Sequence, residues 1–205
     1  MNSQNSERLI LVTGASGYVG GRLVRDLVSD KCGVRILVRD AQKVAEQPWA
    51  KDVEIVEGNA TVIADLDRAL TGVHTAFYLL HSINLGKNFD DIESEMARNF
   101  ALAAEQQGVK QIVYLGGIAN DQNRSQHLAS RMNTGAQLAS TSVPVLELRA
   151  GIIIGSGSAS FEMLRHLTHR LPIMTTPKWV SNLTQPISIR DALYYLRKAA
   201  MLEKP

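Results

Sequence analysis

The sequence has little cysteine, few aromatic side chains and no clear excess of charge of either sign. Cys32 is the only cysteine among 205 residues, so no disulfide can form within the chain. The 22 basic residues nearly match the 20 acidic ones, which argues against the dense basic face that nucleic acid requires. No apolar run approaches the roughly 18 residues of a membrane helix, and the start MNSQNSER lacks a signal-peptide layout. These absences predict a cytoplasmic protein with no membrane span and no nucleic-acid partner.

The sequence does contain a regular alternation of short apolar runs and amphipathic segments. Hydrophobic residues make up 45% of the chain and charged residues 20%, which is typical of a domain with a buried core. Short β-rich runs predict six strands, at residues 8–12, 34–38, 53–56, 75–80, 111–115 and 145–148. Segments with 3.6-residue spacing predict helices at residues 18–28, 62–70, 89–107 and 126–141.

This order of elements predicts an α/β fold with a doubly wound parallel sheet, which is Rossmann-like. Runs such as LILV and RILV are uniformly apolar, as strands buried on both faces of a parallel sheet should be. We expect a single domain over residues 1–205, because neither a repeat nor a long linker divides the chain. A Gly/Ser-rich turn, a Pro/Thr-rich stretch and helices at 161–168 and from Asp191 predict a small C-terminal lobe over residues 151–205.

The segment LILVTGASGYVGGRLV at residues 9–24 is the most informative part of the chain. An apolar strand runs into three glycines spaced by three residues and then into an amphipathic helix. Such a turn lets a pyrophosphate approach the first amides of the helix, so the segment predicts a dinucleotide cradle. The alternative is a tight turn before a closely packed helix, with no ligand. The predicted cradle consists of Gly14, Ala15, Ser16, Gly17, Tyr18, Val19 and Gly20.

The Gly-x-x-Gly-x-x-Gly spacing after Thr13 resembles the short-chain dehydrogenase/reductase superfamily, particularly its extended and atypical branches. Arg39, at the end of the second strand, resembles the position that selects NADP, where a guanidinium can grip the adenosine 2′-phosphate. Asp40 next to it could instead accept from a free 2′-hydroxyl, as in NAD binding, and Arg39 could form a surface ion pair. We therefore expect NADP as the cofactor, with NAD the less favoured choice.

The motifs LLHS, YLGG and HLxSR narrow the resemblance to NAD(P)H-binding reductases of the NmrA-like and epimerase-like kind. Asn59 stands where this family usually has Asp, and an amide can still bond the adenine amino group. Arg131 could hold the hydroxyls of the nicotinamide ribose. The other positions that the resemblance places along the dinucleotide are Ala60, Leu79, Leu80, His81, Ala150 and Ile152.

The family's catalytic set is altered at every position in this chain. The resemblance implies a serine at the end of the fifth strand and a Tyr-x-x-x-Lys pair on the next helix, but the sequence has Gly116-Gly117 and then His127 and Arg131. The i,i+4 spacing puts both side chains on one helix face, where His127 could exchange a proton near neutral pH. Alternatively, both are polar groups without a proton-transfer role. His81 is a competing candidate at a strand end on the cofactor side.

Two functions fit these features. The first is an NADP(H)-binding oxidoreductase that reduces a small organic or quinone-like substrate through a non-standard proton relay. The second is a non-catalytic dinucleotide sensor or assembly factor whose partner surface responds to NAD(P)H. His166 and His169 lack a third ligand at suitable spacing, so no metal site is expected. The resemblance also implies a route to oligomers through the helices at 89–107 and 126–141.

Overall fold

The computed structural model of the protein describes residues 8–80, 89–118, 126–170 and 185–202. Its six main strands are β1 (Leu9–Thr13), β2 (Gly33–Val38), β3 (Glu54–Glu57), β4 (Thr75–Tyr78), β5 (Gln111–Gly117) and β6 (Val145–Ala150). The helices between them are α1 (Tyr18–Ser29), α2 (Ile63–Leu70), α3 (Phe89–Gln106) and α4 (Gln126–Leu138). The C-terminal part adds the short strands β7 (Ile153–Ile154) and β8 (Ile187–Ser188) and the helices α5 (Ala159–Arg170) and α6 (Ile189–Ala200).

The six main strands form one parallel sheet in the order β3-β2-β1-β4-β5-β6. The chain moves outward from β1 to β2 and β3, then returns to the other side of β1 and continues through β4, β5 and β6. The winding direction therefore reverses between β1 and β4, and ligands bind at the carboxyl ends of the strands at such a point. The predicted strands and the doubly wound α/β fold are confirmed.

Helices cover both faces of this sheet, and the strand side chains alternate between the two cores. Val12 packs with Leu23 of α1 and Leu196 of α6 on one face. Leu11, its neighbour in β1, packs with Phe100 of α3 on the other face, which α2 and α4 also cover. Successive strand residues point to opposite faces, so the four consecutive apolar residues of β1 can serve two cores at once.

The predicted element boundaries differ from the structure by up to three residues, and at two of them a side chain interrupts the backbone pattern. Helix α4 ends at Leu138 instead of residue 141. Beyond it, the backbone N–H and the hydroxyl of Ser142 both donate to the Glu105 carboxylate, at 2.8 and 2.6 Å. Strand β4 ends at Tyr78 instead of residue 80, since the N–H of Leu79 donates to the Thr13 hydroxyl at 3.1 Å.

The C-terminal part contains the two helices predicted there, α5 and α6, together with two short strands. Strands β7 and β8 pair in parallel as a separate two-stranded sheet, and their two-residue length is too short to show a periodic pattern. Helix α6 returns to α1, where Arg197 donates to both carboxylate oxygens of Asp30 at 2.6 and 2.7 Å. Residues 171–184 lie outside the described part, so the single domain and the substrate-side lobe at 151–205 stay predictions. None of the helices in the described ranges is long and apolar enough to cross a membrane.

Candidate functional site

The turn after β1 requires glycine at its first position. Gly14 has φ +70°, a backbone conformation that side chains with a Cβ rarely adopt. A Cβ placed there would lie 2.5 Å from the carbonyl oxygen of Leu79, at the end of β4. The turn then closes through the N–H of Gly17, which donates to the carbonyl of Gly14 at 2.9 Å. This backbone therefore passes directly over the point where the sheet reverses its winding.

The N-terminus of α1 has the features of an anion site. Gly17 is the N-cap and has no side chain to occupy the first amides, and the first turn contains no acidic residue. The N–H groups that a helix leaves unpaired at its start, together with its dipole, attract a negatively charged group. Gly20 brings the helix close, because a Cβ there would overlap the carbonyl of Gly14. A cradle of this shape fits the pyrophosphate of a dinucleotide.

Thr13 fixes the two strand ends on either side of the crevice. Its side chain is fully buried, its hydroxyl donates to the carbonyl of Phe77 at 2.9 Å, and it accepts from the N–H of Leu79 at 3.1 Å. Both β4 groups are thus satisfied without water. Thr13 positions Leu79 opposite Gly14, a role that the sequence analysis did not assign. Its only signal in the sequence is a hydroxyl residue between an apolar strand and a glycine.

Arg39 and Asp40, the two candidates at the end of β2 for contacting the adenosine ribose, differ in their hydrogen-bond partners. Arg39 is exposed, and among the described residues it makes neither a hydrogen bond nor an ion pair. Asp40 caps the 3-10 turn Ala41–Lys43, accepting from the N–H of Gln42 at 3.0 Å. The guanidinium is therefore available to a ligand, whereas one oxygen of the neighbouring carboxylate is already engaged.

The end of β3 is held by a network around Asp65. The two oxygens of Asp65 accept from the N–H of Asn59 at 2.8 Å and from Arg68 at 2.8 Å. Arg68 also donates to the carbonyl of Glu57 at 3.0 Å. The side-chain oxygen of Asn59 accepts from the N–H of Thr61 at 3.1 Å. Asn59 itself is exposed and Ala60, which follows it, is buried. Sequence analysis did not assign this role to Asp65, because Asn59 precedes it in an irregular turn without a periodic pattern.

The side chains at the other predicted cofactor positions differ in how far they are buried. The side chains of Ala15 and Leu79 belong to the core, so only their backbone can face the crevice. Ser16 is exposed, and Val19, Leu80 and Ala150 are partly buried and pack against the two cores. Ile152 is 47% exposed, and its carbonyl accepts from the N–H of Ile187 at 3.0 Å. His81 lies outside the described residues.

The predicted catalytic pair lies on α4, which packs over the carboxyl half of β5. His127 is in the first turn of this helix, and its side chain is outside the described part. Arg131, one turn later, is half-buried, and its guanidinium forms no hydrogen bond or ion pair with the described residues. Its backbone carbonyl accepts from the Tyr114 hydroxyl at 3.0 Å. This bond ties α4 to β5 at the position of Arg131.

A carboxylate fills the space left by the missing serine side chain at the end of β5. A Cβ added to Gly116 would lie 2.5 Å from Oε1 of Glu147, on the neighbouring strand β6. The same oxygen lies 3.5 Å from where a Cβ of Gly135 would be, so two glycines make room for it. Its other oxygen accepts from Arg149 at 2.8 Å. The sequence could not predict this arrangement, since it depends on the register of β5 against β6.

The two tyrosines under α3 and α4 are poor proton-transfer groups. Burial raises the pKa of Tyr114 from 10.0 to about 12, and the nearby Glu147 and Glu93 carboxylates raise it as well, against a lowering by Arg131. Burial also raises the pKa of Tyr78 well above its ordinary value, with Glu93 and Tyr114 adding to the shift. Both phenols hold their protons near neutral pH, so neither replaces the missing catalytic tyrosine.

Comparison with known proteins identifies the family. Residues 14–142, which run from the glycine turn to the segment before β6, match the family described as NAD(P)H-binding. The chain belongs to this NAD(P)H-binding family. The NAD(P)H-binding character that the glycine loop predicted is thereby confirmed, and the cofactor class is NAD(P)(H). The match does not distinguish NADP from NAD.

Relatives of this NAD(P)H-binding protein include reductases. The chain is 27% identical over 188 residues to a ceramide reductase of Caulobacter vibrioides (strain NA1000 / CB15N), an alignment covering 90% of this chain and 58% of that protein. The chain thus spans little more than half the length of this relative.

Two solved structures share the fold of this chain. The Bordetella bronchiseptica enzyme WbmG in complex with NAD and UDP has a TM-score of 0.79 and 15% identity, covering 100% of this chain and 72% of that chain. The Citrobacter sp. triphenylmethane reductase complexed with NADP(H) has a TM-score of 0.63 and 21% identity, covering 79% of this chain and 55% of that chain.

A cleft of about 500 Å³ opens beside the glycine loop of this NAD(P)H-binding protein. Its lining includes Ser16, Gly17, Trp49 and Gly157. Arg22 crosses it, lying 4.0 Å over the ring of Tyr18 and donating to the carbonyl of Ser156 at 3.0 Å. This contact joins the second turn of α1 to the loop after β7, and the sequence did not predict it because the partners are far apart in the chain.

Proposed function

We propose that the protein is an NADP(H)-dependent oxidoreductase that reduces a small organic substrate, with quinone-like compounds among the candidates. The observation that carries the preference for NADP is the contrast at the end of β2. Arg39 offers an unpaired guanidinium to a 2′-phosphate, while Asp40 caps a 3-10 turn through one of its oxygens. A guanidinium forks onto phosphate oxygens, whereas NAD binding relies on an acidic group that accepts from the 2′-hydroxyl.

The relatives support reduction as the direction of the reaction. One is a ceramide reductase by name, and one solved structure of the same fold is a triphenylmethane reductase complexed with NADP(H). The nicotinamide of the bound cofactor supplies the hydride. The protein must then place the substrate and deliver a proton. In this proposal the substrate lies between the sheet and the part of the chain at 151–205, within one domain.

Residues of α4 are proposed to serve the proton transfer. When a carbonyl is reduced, the carbon receives the hydride and the oxygen receives a proton, so a proton-exchanging group must reach that oxygen. His127 is the candidate, one helical turn from Arg131 on the same helix. Arg131 is proposed to hold the ribose hydroxyls, since its guanidinium has no partner among the described residues.

The first test is parallel calorimetric titration with NADPH, NADP+, NADH and NAD+. We expect the phosphorylated pair to bind more tightly, and Arg39→Ala to weaken NADPH binding by about 10- to 100-fold, as for loss of a hydrogen-bonded charge. Binding of NADH should change little. Lys110→Ala is the matched control, because it removes the same charge from the opposite end of the sheet, just before β5. Equal NADPH affinities for the Arg39→Ala variant and the unaltered protein would overturn the NADP assignment.

The second test is turnover. NADPH oxidation is followed spectroscopically against a panel of carbonyl and quinone compounds. A substrate-dependent rate that falls in His127→Ala supports the proposed relay, and an unchanged rate removes His127 from the mechanism.

A specific observation also favours the alternative of a non-catalytic dinucleotide sensor or assembly factor. The place of the family's serine is filled by the Glu147 carboxylate, and no serine or tyrosine of the described site stands in for the usual set. This alternative predicts dinucleotide binding as tight as in the first proposal but no oxidation of NADPH across the whole panel. Turnover with any member of the panel excludes it.

A further inference from the structure

The carboxylate of Glu147 lies near the carboxyl end of β5, on the sheet face that α4 covers. Strand β6 pairs with β5 so that Glu147 stands beside Tyr114, and Arg149 beside Gly116. Alternate residues of a strand share a face, so these four residues point to the side where Tyr114 packs with α3 and α4. Ligands of a doubly wound sheet bind at the carboxyl ends of its strands. Glu147 is therefore placed at the substrate end of the site, and this inference rests on the proposed function.

One oxygen of this carboxylate is engaged and the other is free. Oε2 accepts from Arg149 at 2.8 Å. Oε1 has no donor among the described residues, yet it does not belong to the buried side-chain atoms that lack a partner. It is therefore open to solvent, in agreement with the 22% exposure of the Glu147 side chain.

The surroundings of Oε1 hold it in place without offering it a hydrogen bond. Gly116 and Gly135 flank it, since a Cβ on them would lie 2.5 and 3.5 Å away. The Tyr114 hydroxyl has a single proton, which it donates to the carbonyl of Arg131 at 3.0 Å. The contact of Oε2 with the guanidinium of residue 149 fixes the direction of the other oxygen. Oε1 is thus a fixed acceptor, open to solvent, that the described residues leave unused.

We propose that Glu147 determines substrate specificity: Oε1 accepts a hydrogen bond from a hydroxyl group of the substrate, so that the site selects hydroxy-substituted carbonyl compounds. A carboxylate can only accept, so it bonds a hydroxyl and repels an ether oxygen in the same position. A hydrogen bond to a charged group changes the affinity by a factor of about 10 to 100. Glu147 exchanges no proton with the reacting carbonyl in this proposal and acts only on which compound is bound.

The test compares carbonyl compounds that differ in one hydrogen-bond donor. Hydroxyacetone and methoxyacetone form one pair, and α-hydroxyacetophenone and α-methoxyacetophenone form a second. In each pair the methoxy compound keeps the oxygen and loses the donor. Two quantities are measured for every compound: kcat/KM with NADPH, and the dissociation constant from the protein loaded with NADP+.

Two variants and one control isolate the free oxygen. In Glu147→Gln the amide oxygen faces Arg149, which can only donate, so an NH₂ group replaces Oε1 and bonds a hydroxyl or a methoxy oxygen equally. Gly116→Ala keeps the charge and displaces Oε1, because the added Cβ would lie 2.5 Å from it. Glu54→Gln is the matched control, since Glu54 pairs with Arg35 at 2.9 Å in the opposite edge strand of the sheet. Circular dichroism and the urea midpoint show that each variant is folded.

We expect the unaltered protein and Glu54→Gln to favour the hydroxy compound of each pair by at least about tenfold, in kcat/KM and in affinity. In Glu147→Gln and Gly116→Ala this preference should fall to within about threefold. The proposal is overturned if the unaltered protein treats the two compounds of each pair alike or binds neither, or if Glu147→Gln keeps the preference. Should Glu147→Gln not fold, Gly116→Ala decides in the same way.

The same measurements separate this proposal from the proposed function. Equal rates of NADPH oxidation with the hydroxy and methoxy compounds would leave the NADPH-dependent reductase intact and overturn the role of Glu147 alone. Failure of NADPH itself to bind would overturn both.

Discussion

Replacing Gly14 by Ala tests the central contact of the cradle, and Gly72→Ala is its matched control. The two glycines have nearly the same backbone conformation, with φ +70° and +72°. They differ in their surroundings: a Cβ at Gly72 would meet nothing within 4 Å, while a Cβ at Gly14 would lie 2.5 Å from the Leu79 carbonyl oxygen and 3.0 Å from its carbon. The difference between the two variants therefore isolates the close approach of β1 and β4.

The expected losses of folding stability come from the positive φ, which both glycines share, and from the Cβ overlap, which only Gly14 has. A residue with a Cβ at this φ costs about 1–2 kcal/mol, and both variants share that loss. To relieve the overlap at Gly14, the backbone at residue 14 and the backbone at Leu79 must separate by about 1 Å, so that the added Cβ reaches van der Waals distance. This separation costs a further 1–3 kcal/mol or so. The separation would also stretch the hydrogen bond between Thr13 and the N–H of Leu79. We expect the free energy of unfolding to fall by about 1–2 kcal/mol in Gly72→Ala and about 2–5 kcal/mol in Gly14→Ala.

Urea denaturation followed by circular dichroism measures these losses, and calorimetry measures NADPH binding. Gly72→Ala should bind as the unaltered protein does, whereas Gly14→Ala should lose at least about tenfold in affinity, because the amides of α1 move relative to the crevice. Gly17→Ala covers the case in which Gly14→Ala does not fold. Gly17 is exposed with φ −86°, which alanine adopts without strain, and its Cβ would lie 3.2 Å from the carbonyl oxygen of Gly14. The added methyl group therefore alters the cradle with a smaller overlap than at Gly14. Equal stability losses at Gly14 and Gly72, or unaltered NADPH binding in Gly17→Ala, would refute the reasoning.

Three further predictions concern contacts that hold the fold around the site. Thr13→Val removes the hydroxyl that bonds the Phe77 carbonyl and the Leu79 N–H, and should lower the free energy of unfolding by about 1–3 kcal/mol, measured in urea. A loss below about 0.5 kcal/mol, as for an exposed substitution, would contradict the role given to Thr13. The folded protein raises the pKa of Tyr114 from 10.0 to about 12, so it holds this proton more tightly than the unfolded chain does. That part of the stability is complete below pH 10.0 and is lost as the pH rises toward about 12, and Tyr114→Phe should flatten the loss. Arg197→Ala breaks the half-exposed ion pair with Asp30. It should lower the free energy of unfolding by about 1 kcal/mol at low salt and by less at high salt. A loss that does not depend on salt would show that the pair makes no ionic contribution.

The parts of the structure that the sequence predicted are those made by near neighbours in the chain. Residues 9–24 contain the strand, the turn and the helix of the cradle in one continuous stretch, so spacing alone indicated their geometry. The six strands were equally evident, because strands buried on both faces leave uniformly apolar runs. Asp40 is an exception, since its partner is only two residues away but sequence analysis considered it only as a contact to the ribose.

The contacts that sequence analysis missed join residues that are far apart. The Thr13 hydroxyl meets Leu79 across 66 positions, and Arg22 meets Ser156 across 134. Glu147 reaches the space above Gly116 only because β5 and β6 pair in one register. A shift of that register by one residue would turn Glu147 to the opposite face of the sheet. Neither composition nor periodicity contains such a register, so the chemistry at the end of β5 could be stated only as an absence of serine.

The adenosine half and the substrate half of the candidate site are therefore built in different ways, so the chemistry of one can change without the other. The adenosine half consists of backbone amides, the Arg39 side chain and a turn fixed by Asp65, all within the first three strands. The other half depends on side chains that meet across β5, β6 and α4, where Glu147 lies against Gly116 and Gly135. Because none of the contacts described in one half uses a residue of the other, a substitution at Gly116 or Glu147 can alter the chemistry at the substrate end while the cradle still binds the same cofactor. The loss of the usual serine is thus compatible with full dinucleotide binding, and binding alone cannot distinguish the enzyme from the sensor; turnover can.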